Sequence, residues 1–318
     1  GSEGTLGVLT EARLRLVGPR PSWLAVLVPV ADDAEAISLT KELRDEAART
    51  RRLGDAGGVD VAAIEYMDGR SLDILREDGV GARVGVVIPP QARALLLVQV
   101  DLPASYDRSA ALDELASYAD AATPGPVARL CRILDARGLL AAAVPALPGE
   151  EDRRRALFAL REAVPEGVNR RVREAALRSG DPISKSGGDV IVPFDRLEEA
   201  LARWRRVLED TGLDAAVWGH LSDGNVHPNL IAADAAGMAR ARSAQVAIGR
   251  IAIELGGSPL AEHGTGRNPG KQQLLEALHG RDGVASMRAT RRALDPQGML
   301  APGVLFDDLA PALFEDPS

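Results

Sequence analysis

Apolar runs bounded by glycine and proline alternate along this chain with segments whose apolar residues recur every three or four positions. Trp23 to Val30 predicts a strand, and Asp32 to Leu53 an amphipathic helix with Asp32 or Asp33 as its cap. Val59 to Tyr66 and Arg93 to Val100 predict two more strands. Ser105 to Ala121 and Pro126 to Arg137 read as helices, Leu139 to Val144 as a strand, and Glu151 to Ala163 as a helix decorated with Arg and Glu. From Pro165 to Gly188 the pattern loosens into a stretch rich in Arg, Gly and Ser. Then come strand Asp189 to Val192, helix Phe194 to Thr211, strands Leu213 to His220 and Asn225 to Ala232, and a long helix from about Ala235 to Leu255. Two further helices are expected after the turn at Gly256 and Gly257.

Strands joined by helices, with one clear hairpin and no glycine-rich phosphate loop opening a helix, predict an α+β fold. An antiparallel sheet covered on one face by helices is the expected form. The two ends stand apart. Gly1-Ser2-Glu3-Gly4-Thr5-Leu6-Gly7 is dense in glycine, which suits a backbone that approaches a ligand closely; it equally suits a frayed tail behind a two-residue expression remnant. Asp295 to Gly303 is punctuated by Pro and Gly and is expected to run extended over a surface.

Composition narrows the choice of partners. The hydrophobic content of 46% over 318 residues is enough for a sizeable core. No run of about 18 uncharged apolar residues occurs and the first residues do not form a secretion signal, so no transmembrane segment is expected. A cytoplasmic location follows, free or peripheral to a membrane. The lone Cys131 lies in an apolar run and reads as a buried, inert thiol. A net charge of −8 without a basic block, and only three Tyr, three Trp and four Phe, exclude a nucleic-acid partner.

The candidate chemistry gathers around histidine. Of four histidines, His220, His227 and His263 cluster together with Glu262. Asp223-Gly224 predicts a two-residue hairpin turn, which would pair 222 with 225, 221 with 226 and 220 with 227. His220 would then face His227 directly, close enough for both imidazoles to bind one ion. A hydrogen-bonded histidine pair is the simpler alternative on the hairpin alone. Glu262 would complete a two-histidine, one-carboxylate site that keeps a position open for substrate. His263, between Glu262 and Gly264, is free to act as a base, or is a surface histidine in a glycine-rich turn. His279, before Gly280, reads as a cation at a helix C-terminus without a catalytic role.

Three segments carry a family resemblance: Gly1 to Gly7, Gly219-His-Leu-Ser-Asp-Gly-Asn-Val-His227 and Ala261-Glu-His-Gly-Thr-Gly266. Weaker echoes are Ala63 to Asp68, Leu160-Arg-Glu162, Asp189 to Pro193 and Asp295 to Gly303. In this order they resemble the FAD-linked oxidases of the vanillyl-alcohol-oxidase type, in the branch of D-lactate, glycolate and D-2-hydroxyglutarate dehydrogenases. The resemblance implies a ferredoxin-like cap domain over residues 21–294. Residues 1–20 would be the edge of an FAD-binding domain that lies otherwise upstream, and residues 295–318 a segment returning toward it. It implies that Gly1, Ser2, Gly4, Thr5 and Gly7 contact FAD, that His220, His227 and Glu262 bind divalent zinc or manganese, and that His263 is the base. Asn225 and Arg161 would bind a small D-2-hydroxy acid, although spacing alone reads Arg161 as a solvated helix charge. Lys185 is the nearest lysine to a family carboxylate contact whose own place is taken by Gly187 and Gly188. Ser222 stands where the family has glycine, and Ala301 and Val304 where it has asparagine and lysine.

The implied activity is oxidation of the hydroxy acid to the 2-oxo acid by hydride transfer to FAD, with an electron acceptor that the residues do not identify. Two rivals remain. One is a metal-binding or interaction fragment without catalysis; the other is a group-transfer enzyme of the same architecture, the ether-lipid synthase branch, although no tyrosine stands near His220 or His263.

Overall fold

Strand β1 (Ser22–Val30) has every side chain from Leu24 onward buried. A strand covered on both sides needs a layer on each, and this organises the molecule. The computed structural model describes residues 1–18 and 21–306. Strands β2 (Asp60–Met67), β3 (Ala94–Leu102), β4 (Val144–Ala146), β5 (Ser186–Gly187), β6 (Val190–Ile191), β7 (Asp214–His220) and β8 (Asn225–Ile231) join β1 in one sheet. Its order is β4-β1-β3-β2-β7-β8-β5, with β6 also pairing β8, and these pairings are antiparallel. The fold is α+β with an open antiparallel sheet, as the strand and helix pattern predicts.

The helices are α1 (Asp33–Leu53), α2 (Gly69–Glu77), α3 (Val80–Val84), α4 (Arg108–Ser117), α5 (Pro126–Ala136), α6 (Glu151–Ser179), α7 (Leu197–Thr211), α8 (Ala235–Glu254) and α9 (Pro269–Leu294). Helix α1 begins where predicted: the Asp32 carboxylate accepts the Glu35 amide at 2.8 Å. It ends at Gly54, whose φ of 61° lets its amide turn back to the Arg51 and Thr50 carbonyls. Helix α9 breaks at Gly280, where φ is 72° and ψ 167°, giving the two predicted helices and leaving His279 at the end of the first.

Helices cover both faces of the sheet, not one. Leu24, Val26 and Val28 pack with Leu39 and Leu43 of α1, Leu130 of α5, Trp204 of α7 and Ile248 of α8. Ala25 and Leu27 pack on the other side with Leu72 and Leu75 of α2, Val80 of α3, and Leu157, Leu160 and Val164 of α6. The buried Trp204 also donates its indole N–H to the Ile248 carbonyl at 3.1 Å, so truncating it to Ala is expected to cost about 3–5 kcal/mol.

Other boundaries differ from the sequence expectation. Helix α6 runs on through Pro165 to Ser179, because its buried face Leu157, Leu160, Val164, Val168, Val172, Ala175 keeps helical spacing across the proline. Pro165 only removes the amide that would reach the Arg161 carbonyl. The strand expected at Leu139 to Val144 is a 3₁₀ turn, Leu140–Ala142, followed by the three residues of β4. Helix α4 is shorter than Ser105 to Ala121, and α2 and α3 were not anticipated. Of the C-terminal segment, residues 295–306 fold back on the loop after Glu262, where Leu305 N–H reaches the Gly266 carbonyl at 3.0 Å. Residues 307–318 lie outside the described residues. No described helix is long and apolar enough to cross a membrane.

Candidate metal and substrate site

The β7–β8 hairpin pairs His220 with Asn225, Gly219 with Val226 and Trp218 with His227. The expected pairing of His220 with His227 is therefore wrong by two residues. The loop is a 3₁₀ turn, Leu221–Asp223, closed by the Gly224 amide on the Leu221 carbonyl at 3.2 Å. Gly224, at φ 77°, presses so closely on β6 that a Cβ there would stand 2.2 Å from the Val192 carbonyl oxygen. Only a residue without a Cβ fits there. A slip of two preserves the face on which each side chain lies. Both imidazoles still point to one side, with ring centroids 5.7 Å apart and planes nearly perpendicular.

Glu262 reaches the hairpin from the loop after Gly256 and Gly257; a Cβ at Gly257 would lie 2.0 Å from the Ile191 carbonyl oxygen. Its Oε1 is 3.1 Å from His227 Nε2, 3.4 Å from His220 Nε2 and 3.3 Å from His263 Nε2. Ligand atoms bound tetrahedrally at about 2.0–2.2 Å stand about 3.3–3.6 Å from one another, and the two histidine–Glu262 separations are close to that spacing, with all three ligand atoms within 4.8 Å of one another. His263 stacks on His227 at 4.7 Å between ring centroids and is half exposed. A second cluster with ligand atoms in reach of one another is Asp189, His227 and His263.

Carboxylates stand behind the histidines. Glu65, on β2 opposite His220, places Oε1 2.7 Å from His220 Nδ1 and accepts Arg161 Nε on Oε2 at 2.8 Å. Burial works against ionising Glu65, but the His220 hydrogen bond and the Arg161 charge outweigh it and hold its pKa below the ordinary glutamate value. The hydrogen bond to Glu65 raises the His220 pKa. Burial, then the neighbouring His263, push His227 down to about 4, which leaves it neutral at physiological pH and able to ligate.

Beside this cluster opens a cavity of about 490 Å³ lined by Arg161, Lys185, Trp218, His227, Asn229, Glu262, His263, Thr265 and Lys271, among others. The fold thus brings Arg161 and Lys185 to one pocket with the histidines. Arg161 is a tethered pocket residue rather than the solvated charge its spacing suggests. Lys185 Nζ sits 5.5 Å over the Trp218 ring, and burial lowers its pKa. Asn225 is buried beside His220 with its Oδ1 unpartnered, but it does not line the cavity.

The N-terminal turn docks here as well. Thr5 is buried and donates its hydroxyl to the Ser2 carbonyl at 2.6 Å, closing a tight turn through Glu3 and Gly4. Glu3 then accepts the Thr265 and Gly266 amides on its two oxygens, each at 2.7 Å. The turn from Ser2 to Thr5 is in this way carried to the loop that holds Glu262 and His263, while Gly1 and Gly7 on either side of it are exposed. Sequence reasoning singled out neither Glu3, Glu65, Asp189 nor Asn229. Glu3, Glu65 and Asp189 lie inside the motifs that carried the resemblance; Asn229 could have been found by strand parity, two residues beyond His227 on the same face.

An open antiparallel sheet with helices on both faces, and a histidine–carboxylate cluster at the mouth of a cationic cavity, define the class. The sequence profile of the FAD linked oxidases, C-terminal domain, matches residues 34–305, and the chain belongs to that family. It is 28% identical over 309 residues to glycolate oxidase subunit GlcD of Bacillus subtilis, covering 96% of this chain and 56% of that one. It is 25% identical over 314 residues to D-2-hydroxyglutarate dehydrogenase of Xanthomonas citri, again covering 96% and 56%. The chain thus spans about half the length of the curated relatives it matches. Among solved structures, 4-ethylphenol oxidase from Gulosibacter chungangensis superposes with a TM-score of 0.52 at 14% identity, over 92% of this chain and 55% of that one. At that identity the fold is what is shared.

Proposed function

We propose that this chain is the substrate- and metal-binding portion of a flavin-dependent dehydrogenase. The enzyme oxidises a D-2-hydroxy acid of the lactate, glycolate or 2-hydroxyglutarate type to the 2-oxo acid by hydride transfer to FAD. One observation carries the reading: His220 and His227 turn their Nε2 atoms on Glu262 beside a cavity whose walls carry Arg161, Lys185 and Lys271. Positive walls suit a carboxylate substrate, and two imidazole nitrogens with one carboxylate suit divalent zinc or manganese while leaving positions open.

His220, His227 and Glu262 hold the ion, which when bound supplies Lewis acidity to the substrate hydroxyl. Arg161 binds the substrate carboxylate: its Nε is spent on Glu65, and its terminal nitrogens have no hydrogen-bond partner among the described residues. Lys185 adds a second positive contact, and Asn225 offers an unsatisfied side chain beside His220. His263 accepts the hydroxyl proton at Nε2. The backbone of the Gly1 to Gly7 segment would contact the flavin, and FAD, held by an upstream domain in the same or another chain, would supply the hydride acceptor.

Residues 1–318, purified and assayed for metal, are expected to carry close to one zinc or manganese per chain, and His220→Ala or His227→Ala to abolish it. Stoichiometric metal that survives both substitutions would overturn the site.

A further inference from the structure

Asp189 stands just before β6 and is 1% exposed. One of its oxygens, Oδ2, accepts two consecutive backbone amides, Glu262 at 2.9 Å and His263 at 2.7 Å. The other, Oδ1, lies 3.8 Å from His227 Nδ1. Both of those atoms are buried, and neither has a hydrogen-bond partner among the described residues. A buried acceptor and a buried ring nitrogen left without partners, and facing one another, are each the natural complement of the other. Across the site the same relation is already closed, with Glu65 Oε1 2.7 Å from His220 Nδ1. Each hairpin histidine therefore turns Nδ1 toward a carboxylate and Nε2 toward Glu262.

We infer that Asp189 is a positioning residue for this centre, fixing the tautomer of His227 and the backbone of Glu262 and His263 at once. The inference rests on the reading of His220, His227 and Glu262 as metal ligands. A neutral imidazole has one N–H, and an ionised carboxylate can only accept. Asp189 places that proton on Nδ1 of His227 and leaves Nε2 with a bare lone pair toward Glu262, the form that binds a cation. The opposite tautomer sets the Nδ1 lone pair against a buried carboxylate and blocks Nε2 with hydrogen. Meanwhile Oδ2 satisfies the two amides at the point where the loop delivers the third ligand and the base. One carboxylate thus governs three of the four site residues, while itself buried and outside the lining of the cavity.

The chemistry requires aspartate rather than asparagine. With its single oxygen held by the two loop amides, an asparagine turns its NH2 toward His227 Nδ1, and a donor there drives the imidazole proton to Nε2. The test uses residues 1–318, metal-free at neutral pH, with ¹⁵N-labelled histidine and long-range ¹H–¹⁵N correlation to read each tautomer. Wild type is expected to show His227 as Nδ1–H, and Asp189→Asn to show Nε2–H, with unchanged far-UV circular dichroism. Zinc affinity, measured by competition with a chromophoric chelator, is expected to fall about 10–100-fold in the variant. An Nε2–H His227 in the wild type overturns the inference whether or not the variant folds. So does an Asp189→Asn chain that keeps Nδ1–H and binds zinc within twofold of wild type. The expected tautomers in a chain with no zinc affinity would instead overturn the metal reading and leave the Asp189–His227 relation standing.

Discussion

Glu65 and His220 face one another across the β2–β7 register, the carboxylate 2.7 Å from Nδ1. The second oxygen of Glu65 takes Arg161 at 2.8 Å, so one side chain joins a proposed metal ligand to the proposed substrate anchor. Packing alone would not keep a carboxylate here, since burial disfavours its charge.

Glu65→Gln tests the first of these roles. The amide keeps the size of the side chain and one acceptor, but it loses the charge that orients His220 and holds Arg161. Zinc affinity of the chain is expected to fall about 10–100-fold, as for other losses of a carboxylate behind a ligating histidine. Competition with a chromophoric chelator measures it, and an affinity equal to wild type would show that the contact has no part in the metal site.

Stability in acid should follow a second carboxylate cluster, Glu77 and Asp78 among Arg70, Arg170 and Arg171. The Arg70 hydrogen bond, against the effect of burial, lowers the pKa of Glu77, with Arg171 adding to it. At Asp78 burial opposes ionisation but is outweighed by Arg171 and Arg170, so its pKa is lowered too. Carboxylates depressed in the folded state contribute stability that is complete above their ordinary values of 4.5 and 3.8 and is lost as pH falls through the folded values. The difference in urea midpoint between wild type and Asp78→Asn is therefore expected to hold steady from pH 7 to about 5 and to shrink below about pH 4.5, on top of the fall that His227, pushed down to about 4, causes in both proteins as pH drops below 6.5. In Asp78→Asn the neutral-pH midpoint is lower and the acid drop shallower. A variant whose acid profile parallels wild type would exclude Asp78 from the transition.

How far the sequence reveals this molecule depends on how local each determinant is. The Asp32 cap and the apolar runs of β1 and β3 are local, and they fall in place within two residues. Those runs also carried a signal that the single-face reading passed over: Leu24 to Val30 and Ala94 to Val98 do not alternate, and a strand without alternation is covered on both sides. Pro165 misled in the opposite direction. Its break in local propensity outweighed a periodic face that continues on both sides of it, and burial against α2 and the sheet carries the helix through.

The site was legible as a set of residues and not as a geometry. His220, His227, Glu262 and His263 were singled out, and the fold gathers them around one carboxylate oxygen. The Asp223-Gly224 pair carries no sign of the backbone packed against Gly224, since Val192 is distant in sequence. Glu65, Asp189 and Glu3 were passed over for the same reason. Each is an ordinary acidic residue whose role exists only once β2, β6 and the N-terminal turn meet the hairpin and its neighbouring loop.

The last prediction separates binding from chemistry in an enzyme reconstituted by joining residues 1–318 to the flavin-binding domain of a glycolate-oxidising relative. Residues 1–318 alone are expected to retain little FAD, because hydride transfer and flavin binding need a partner surface beyond the Gly1 to Gly7 turn. In the joined enzyme, Arg161→Lys replaces a planar fork by a point charge. It is expected to raise KM for the hydroxy acid about 10–100-fold, the value of one or two charge-assisted hydrogen bonds, with a smaller change in kcat. His263→Gln acts on the proton instead of the carboxylate, so kcat is expected to fall about 10²–10⁴-fold with KM little changed. Raising the pH should recover part of that loss, since hydroxide can then take the proton that His263 no longer accepts. Steady-state rates with a dye acceptor between pH 6 and 10 give both constants for each variant. If Arg161→Lys lowers kcat alone, or His263→Gln raises KM alone, the two roles have been assigned to the wrong residues.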